Sequence, residues 1–533
     1  MVMASSALRD DYWDSLEIDD QDIEALYNHL LEIETPQTPD ELLQVLVHER
    51  VRREIANIET QRSSGGEIYA PKQSYKVGQN LVFSAMNWRK GQVTAVRPGQ
   101  NPDLGAFEVG TVTFENGEEK EYAMGFPEHL LNNPQDLAAG KVDLDITQVL
   151  RGHGDTLYEI LEEGLEMSGD FVRIAGRWFP QALLVDINQG HLNLAEAVLD
   201  MAGGGPMQTS EIIQTLDIQA NANPNLVEFS LDLALDRDER FDEVGPAGQI
   251  LWYLKRLEPP EVLETPVYLR YNREEYDQNL LTTDMKVLIH ELQDEHSSQL
   301  STPVRGEVVD SAETRLIFAH WIAGTLPLSP RIASIFPTAY EAPRVRFVLV
   351  DGDTQEKFPG WVVRKERYVF GLKDWYERRG LGLGSLVQVR RSPNPGEVII
   401  QSPAKRATRD WMRTMLVGSD GGMVFAMLRQ IVQSDQDERM AIAIPDVDNL
   451  LKLWARPQRS QTPLERVVVN MARELTKLNP QGHVHASELY AAVNLVRRSP
   501  PGPILALLAS RPWFVHVGDL HFRFNDSEKA RSD

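Results

Sequence analysis

Hydrophobic positions change their period several times along the chain. Between residues 19 and 61 they recur at helical spacing, with Leu26, Leu30 and Ile33 on one stripe. TPQTP interrupts the stripe, and TPDELLQVLVHERVRREI restarts it with Thr38 or Asp40 as a cap. QRSSGGE at 61–67 reads as a linker. From 73 to 124 the period becomes two, in VGQNLVF, GQVTAV and AFEVGTVTF, with Gly-Gln, Pro-Gly and Asn-Gly turns between the runs. That is the pattern of a small β-barrel. Residues 144–168 return to helix and FVRIAGRWF at 171–179 forms a hairpin. Residues 192–254 repeat the helix-then-hairpin order. Residues 258–325 are mixed, with a helix at 283–294, and 326–401 are strand-rich with a short helix at 372–379. The periodicity predicts a mostly helical stretch at 408–456, a last helix-then-hairpin block at 463–524 and a disordered polar tail, NDSEKARSD.

Three helical runs thus end in similar hairpins: FVRIAGRWF, RFDEVGPAGQILWYL and WFVHVGDLHFRF. In the last, LERVVVNMARELTKL, HASELYAAVNLV and PGPILALLAS supply three helices before the hairpin; in the second, LAEAVLDMA, TSEIIQTL and NLVEFSLDLAL do so. Both blocks resemble the winged-helix family that includes the HARE-HTH domains of bacterial RNA polymerase delta subunits and restriction-associated proteins. Winged helices serve as DNA readers and as protein-docking modules, so the third helix must decide. In the second block it carries Glu228, Asp232 and Asp236 at spacing four, which repels phosphate and suits a basic protein surface. In the last block it is apolar and lacks base-reading side chains, but Arg497, Arg498, Arg511 and Arg523 flank it and offer phosphate contact.

The stretch 326–401 carries a second resemblance. RVRFVLV alternates, placing Arg344 and Arg346 opposite Val345, Phe347 and Leu349. Leu326-Pro327 and Phe336-Pro337, the strand Val345–Val350, Asp351-Gly352, Trp361, Trp375, and Leu381 with Gly384 and Ser385 follow in order. This order resembles the plant-type B-three DNA-binding pseudobarrel, which is related to the effector domain of some restriction endonucleases. Gly371-Leu372 and Ser385 depart from that family's Gly-Trp and turn aspartate. The resemblance implies two loop arms that enter the major groove, here Ser329-Pro330-Arg331 and Arg364-Lys365-Glu366-Arg367. The barrel at 73–124 resembles Tudor, KOW and CarD-type polymerase-interaction domains, with Trp88 or Tyr75 as an exposed docking aromatic or a core residue.

Composition narrows the classes. At ~100–200 residues per domain, 533 residues imply three to five domains. With no cysteine, disulfides, Cys-ligated metals and a thiol nucleophile are excluded. No apolar run approaches the ~18 residues of a membrane span, and the acidic N-terminus lacks the apolar core of a targeting peptide. The expectation is a cytoplasmic protein. Net charge is −25, which by itself argues against nucleic acid, but residues 1–320 sum to −33 and 321–533 to +8. A basic half can meet phosphate while the acidic half docks protein.

Candidate chemistry is sparse. Pro102-Asp103, Glu118 and Lys120 match the spacing of a PD-(D/E)xK nuclease, in which carboxylates hold Mg²⁺, yet Glu118 and Lys120 follow an Asn-Gly turn. His483 and His485 form a pair without a third ligand nearby. GLGLGS at 380–385 follows a helix, where it cannot cradle phosphate. The chain is therefore expected to be an α+β multi-domain protein, with winged-helix units combined with a small N-terminal β-barrel and a central β-pseudobarrel. The expected segments are 1–70 (acidic, helical), 71–135 (small barrel), 136–257 (winged helix), 258–325 (mixed connector), 326–403 (pseudobarrel), 404–460 (helical connector), 461–526 (winged helix) and a 527–533 tail. The expected function is a bacterial, transcription-associated, non-enzymatic scaffold without cofactor or metal. Its basic half would bind double-stranded DNA through Ser329, Arg331, Arg364, Lys365, Arg367, Arg497, Arg498 and Arg523. Its acidic half would dock RNA polymerase or another protein, with no membrane contact. The competing classes are a nuclease or restriction component and a protein-only adaptor.

Overall fold

A computed structural model describes residues 12–13, 16–63, 66–83, 86, 89–100, 107–114, 117–127, 132, 146–216, 218, 222–297, 309–418, 422–456 and 462–525. Trp88, Asp103 and the 527–533 tail lie outside the described residues. The chain divides into two units, residues 1–185 with 221–229, and residues 186–220 with 230–533.

In the first unit, helices Asp20–Ile33, Pro39–Ser63 and Ile146–Ser168 share one core with the hairpin Phe171–Ile174/Arg177–Pro180. Leu26, Leu30, Leu42, Leu157, Leu161 and Trp178 fill it. Asp19 starts the first helix by accepting from Asp22 N–H at 2.8 Å, and the buried Asp22 carboxylate in turn holds Arg50 and, at 2.5 Å, Arg53. The expected boundary between 1–70 and 136–257 therefore separates helices that share a core. The segment between them is an insertion. It contains a five-stranded sheet in sequential order, Glu67–Ile68, Asn80–Phe83, Arg89–Pro98, Glu108–Phe114 and Glu119–Met124. Tyr75 is buried in its core beside Phe83 and Phe114, so it is not a docking aromatic.

The second unit has two more sets of three helices and a hairpin. Gln189–Met201, Thr209–Ile213 and the part of Pro224–Asp236 from Ser230 onward pack with Phe241–Glu243/Trp252–Leu254. Leu464–Thr476, Ala486–Val493 and Pro501–Ser510 pack with Phe514–Gly518/His521–Phe524. All three sets share a detail of backbone pairing. Residues between the first and second helices pair with the second hairpin strand: Gln37 with Trp178, Met207 with Trp252, and His483–His485 with His521–Arg523.

Between these sets lies a nearly closed, barrel-like sheet of seven strands. Their order is Ser311–Arg315, Leu386–Arg391, Glu397–Gln401, Arg344–Asp351, Lys357–Val363, Tyr368–Phe370 and Thr325–Pro327. Val345, Phe347 and Leu349 point inward with Val387, Val398 and Ile400, as the alternation requires. Helix Lys373–Arg379 buries Trp375, whose indole N–H donates to Asp351 at 2.6 Å. Gly384 sits at φ +79, and a side chain there would come within 2.7 Å of the Ala441 backbone. The barrel begins earlier than the expected 326, because Ser311–Arg315 pairs along its full length with Leu386–Arg391.

The largest departure is at 404–460. Instead of a helical connector, Ala404–Val417 and Met423–Ser434 form a long antiparallel ribbon, and the one helix described there is Val447–Trp454. Its Ala, Met, Leu, Arg and Gln residues favour helix locally. Cross-strand pairing overrides that preference, and Gly418 N–H bonds Gly422 carbonyl at 2.7 Å to close the turn.

Candidate nucleic-acid interface

Two connections leave one end of the barrel side by side. Pro327 pairs with Tyr368, and one residue further on Leu328 N–H donates to the Arg367 carbonyl at 2.8 Å. The first connection continues into Ser329–Arg331. The second is the turn 364–367 between the paired residues Val363 and Tyr368. The two arms expected from the sequence are thus neighbours.

Their side chains divide sharply. Lys365 and Arg367 are exposed, and Arg367 adopts φ +59, a left-handed conformation that tight turns use. Its guanidinium also donates to the Glu295 carbonyl at 3.3 Å. Arg331 is exposed in the helix Pro330–Ala333. Arg364 turns back and donates to the carbonyls of Ala342 at 2.7 Å and Tyr340 at 3.2 Å. Ser329 is buried: its hydroxyl caps that helix and donates to Gln293 Oε1 at 2.7 Å. The expectation that Ser329 contacts DNA is therefore corrected, and Arg364 is committed to the barrel. Arg331, Lys365 and Arg367 remain as the cations this end presents.

The arginines of the C-terminal set are mostly structural. Arg498 has no exposed side-chain surface and pairs with Asp294 at 2.8 Å and Glu295 at 2.7 Å. Tyr490 hydroxyl donates to Asp294 at 2.6 Å, and His320 Nε2 stands 3.2 Å from Glu295. Burial opposes ionisation of Glu295, but Arg498 and His320 overcome it and hold the carboxyl well below its usual range. The Arg498 assignment is thus corrected. Arg497 is tied to Glu274 and the Thr462 carbonyl, and Arg511 to Glu465 at 2.9 Å. Arg523 is exposed on the hairpin, opposite His483 and Val515.

The acidic helix also changes meaning. Asp232 is buried, accepts from Trp252 Nε1 at 2.8 Å and bonds Thr209 hydroxyl. Glu228 is half-buried and Asp236 exposed, so the expected docking triad presents no common surface. A more open acidic feature lies in the first unit. Exposed Glu24, Glu32 and Glu41, with His29 and His48, line a groove between Asp20–Ile33 and Pro39–Ser63; Arg52 and Arg53 line it too, Arg52 bridging Glu49 at 2.9 Å and Arg53 held by Asp22. Spacing within either helix alone could not show it.

Arg344 and Arg346 are occupied as well. Arg344 pairs with Asp242 and lies 3.8 Å from Glu258, whose carboxyl is pushed up to about 8 by burial and by Asp242. The Arg346 guanidinium lies 5.8 Å from the Tyr253 ring centroid, and burial lowers its pKa.

The nuclease alternative finds a surface hairpin. Glu118 bridges Lys120 at 2.9 Å and Arg89 at 3.1 Å, all partly exposed. His521 stands 4.8 Å from the His483 ring and 4.9 Å from His485, a proximity the sequence did not reveal because it depends on strand pairing. Both rings of the original pair are hydrogen-bonded within the protein, His483 to Gln481 at 2.5 Å and His485 to Ser487 at 2.7 Å. Among the described residues no group of three ligands is placed to hold a metal ion. Nor, among them, is any helix long and apolar enough to cross a membrane. No protein family, curated protein or solved structure matches the chain.

Proposed function

We propose that the chain is a non-enzymatic, DNA-binding and protein-docking scaffold of the bacterial transcription-associated kind. The observation that carries this reading is the adjacency of the two basic connections, through Leu328 N–H and Arg367 carbonyl at 2.8 Å. It puts Arg331, Lys365 and Arg367 on one end of a barrel, where protruding loops can meet a duplex groove and its phosphates. The three helix–hairpin sets are read as winged helices, because in each the segment after the first helix pairs with the second wing strand. The pseudobarrel resemblance supports the same contact. Protein docking is assigned to the Glu24–Glu32–Glu41 groove, which would take a basic segment of RNA polymerase or of another protein.

The test is fluorescence anisotropy of the full-length protein on a labelled duplex across a salt series. Lys365→Ala and Arg331→Ala should each weaken binding and lower the salt slope by about one, the signature of a lost phosphate contact. An unchanged slope in both variants, or no duplex binding by the wild type at low salt, rejects the reading.

A further inference from the structure

The ribbon at 404–434 is held at both ends and exposes one face between them. At one end Ser434 and Ser385 hydroxyls bond at 2.9 Å, and Leu386 N–H donates to the Asp435 carbonyl at 3.0 Å. Toward the other end Met415 N–H donates to the Ala443 carbonyl at 2.9 Å, Met415 and Phe425 enter the core, and Arg413 pairs with Glu488 at 2.6 Å. Directly opposed residues of an antiparallel pair share a face. Arg409 with Ile431, Trp411 with Arg429 and Arg413 with Met427 therefore lie together. Trp411 is 63% exposed and Ile431 61%, and the Arg429 guanidinium lies 5.6 Å from the Trp411 ring centroid. The described strands also carry exposed Lys405, Arg406 and Arg409, against Asp410 as the acidic residue.

We propose that this face binds an unpaired nucleic-acid strand, with Trp411 stacking on a base and Arg409 and Arg429 meeting the flanking phosphates. A ligand here must offer both a flat π-surface and negative charge, and a polynucleotide offers both in alternation. A duplex keeps its base faces stacked inside, so the occupant is a single strand. The anchoring at both ends holds the strand backbone that carries the indole, which limits the ordering cost of binding. This site goes beyond the duplex contact at the barrel and uses other residues, so either assignment can fail without the other.

Full-length protein is titrated onto fluorescein-labelled oligothymidylate and, separately, oligouridylate, with anisotropy as the readout. Binding to at least one is expected, and the pair tells DNA from RNA. Trp411→Ala should weaken it about tenfold while Trp411→Phe, which keeps a stacking ring, retains most of the affinity. Arg429→Ala should lower the salt slope by about 0.7, the single-strand value for one phosphate. Should Trp411→Ala fail to fold by circular dichroism, the Arg429→Ala slope decides. Absence of binding to both strands overturns the proposal, as does a folded Trp411→Ala variant that binds like wild type. So does a wild-type dimer that Trp411→Ala converts to monomer while neither strand binds, which would make the ribbon a protein–protein face.

Discussion

Arg439 donates from Nη1 to Nε2 of His485 at 3.0 Å. A guanidinium only donates, so a proton on that ring nitrogen would face another N–H. Nδ1 in turn accepts from the Ser487 backbone N–H at 3.2 Å and lies 2.7 Å from the Ser487 hydroxyl. His485 is buried at the N-cap of Ala486–Val493. Burial first, then Arg439 and His521, push its pKa down to about 4.

The consequence is acid sensitivity of the C-terminal set. The folded pKa is about 4 against an ordinary 6.5, so this stability is complete above pH 6.5 and is lost as pH falls toward 4. Thermal unfolding should lose up to about 1.4 kcal/mol per pH unit in that window through this group. His485→Asn should flatten the profile between pH 6.5 and 4. An unchanged slope would show that another group carries it.

Arg498 should behave as a fold residue. Arg498→Ala leaves Asp294 and Glu295 buried without their cation, which costs about 3–5 kcal/mol. Urea unfolding measures this directly. A DNA-contact role would instead leave the urea midpoint in place and weaken duplex binding. For the same reason a fragment beginning at residue 321 should not fold normally. It lacks both carboxylates and the barrel strand Ser311–Arg315.

Asp232→Ala should destabilise the second helix–hairpin set by about 1–3 kcal/mol, since the buried Trp252 and Thr209 donors lose their acceptor. Hydrogen exchange of the Trp252–Leu254 strand should rise. Loss of a bound protein partner with no change in stability would restore the docking role of this helix.

Glu258 gives the opposite pH sign. Burial and the neighbouring Asp242 raise its pKa to about 8, so stability falls as pH rises from 4.5 toward 8. Glu258→Gln should raise the melting temperature at pH 8 more than at pH 5. Equal shifts at both would place the effect in packing.

Much of the barrel was legible. RVRFVLV alternates as a strand with one face inward, and Trp375 is buried on a short helix within the expected 372–379, as the pseudobarrel resemblance implied. Lys365 was legible as a turn residue because WVV and YVF flank it with paired strands. Ser329 was not, because its role as a cap bonded to Gln293 is set by a partner 36 residues away. Arg498 was not, because its partners Asp294 and Glu295 lie some two hundred residues earlier in the chain. The ribbon was hidden by helix-forming residues, whose fate was decided by pairing across the turn. The first helix–hairpin set was hidden by distance, since two of its helices precede the inserted sheet and the third follows it.

That insertion also sets an order of events during synthesis. Asp20–Ile33 and Pro39–Ser63 precede the inserted sheet, but Leu157 and Leu161, which pack into their core, follow about a hundred residues later. At ~5–20 residues per second the two helices wait roughly 5–20 s for them. During that interval Leu26, Leu30 and Leu42 lack their final cover, while the inserted sheet, whose pairings are between sequential neighbours, can already close on itself. The nascent chain therefore builds its guest before its host, and the host's apolar surface is open to a ribosome-bound chaperone until the third helix arrives.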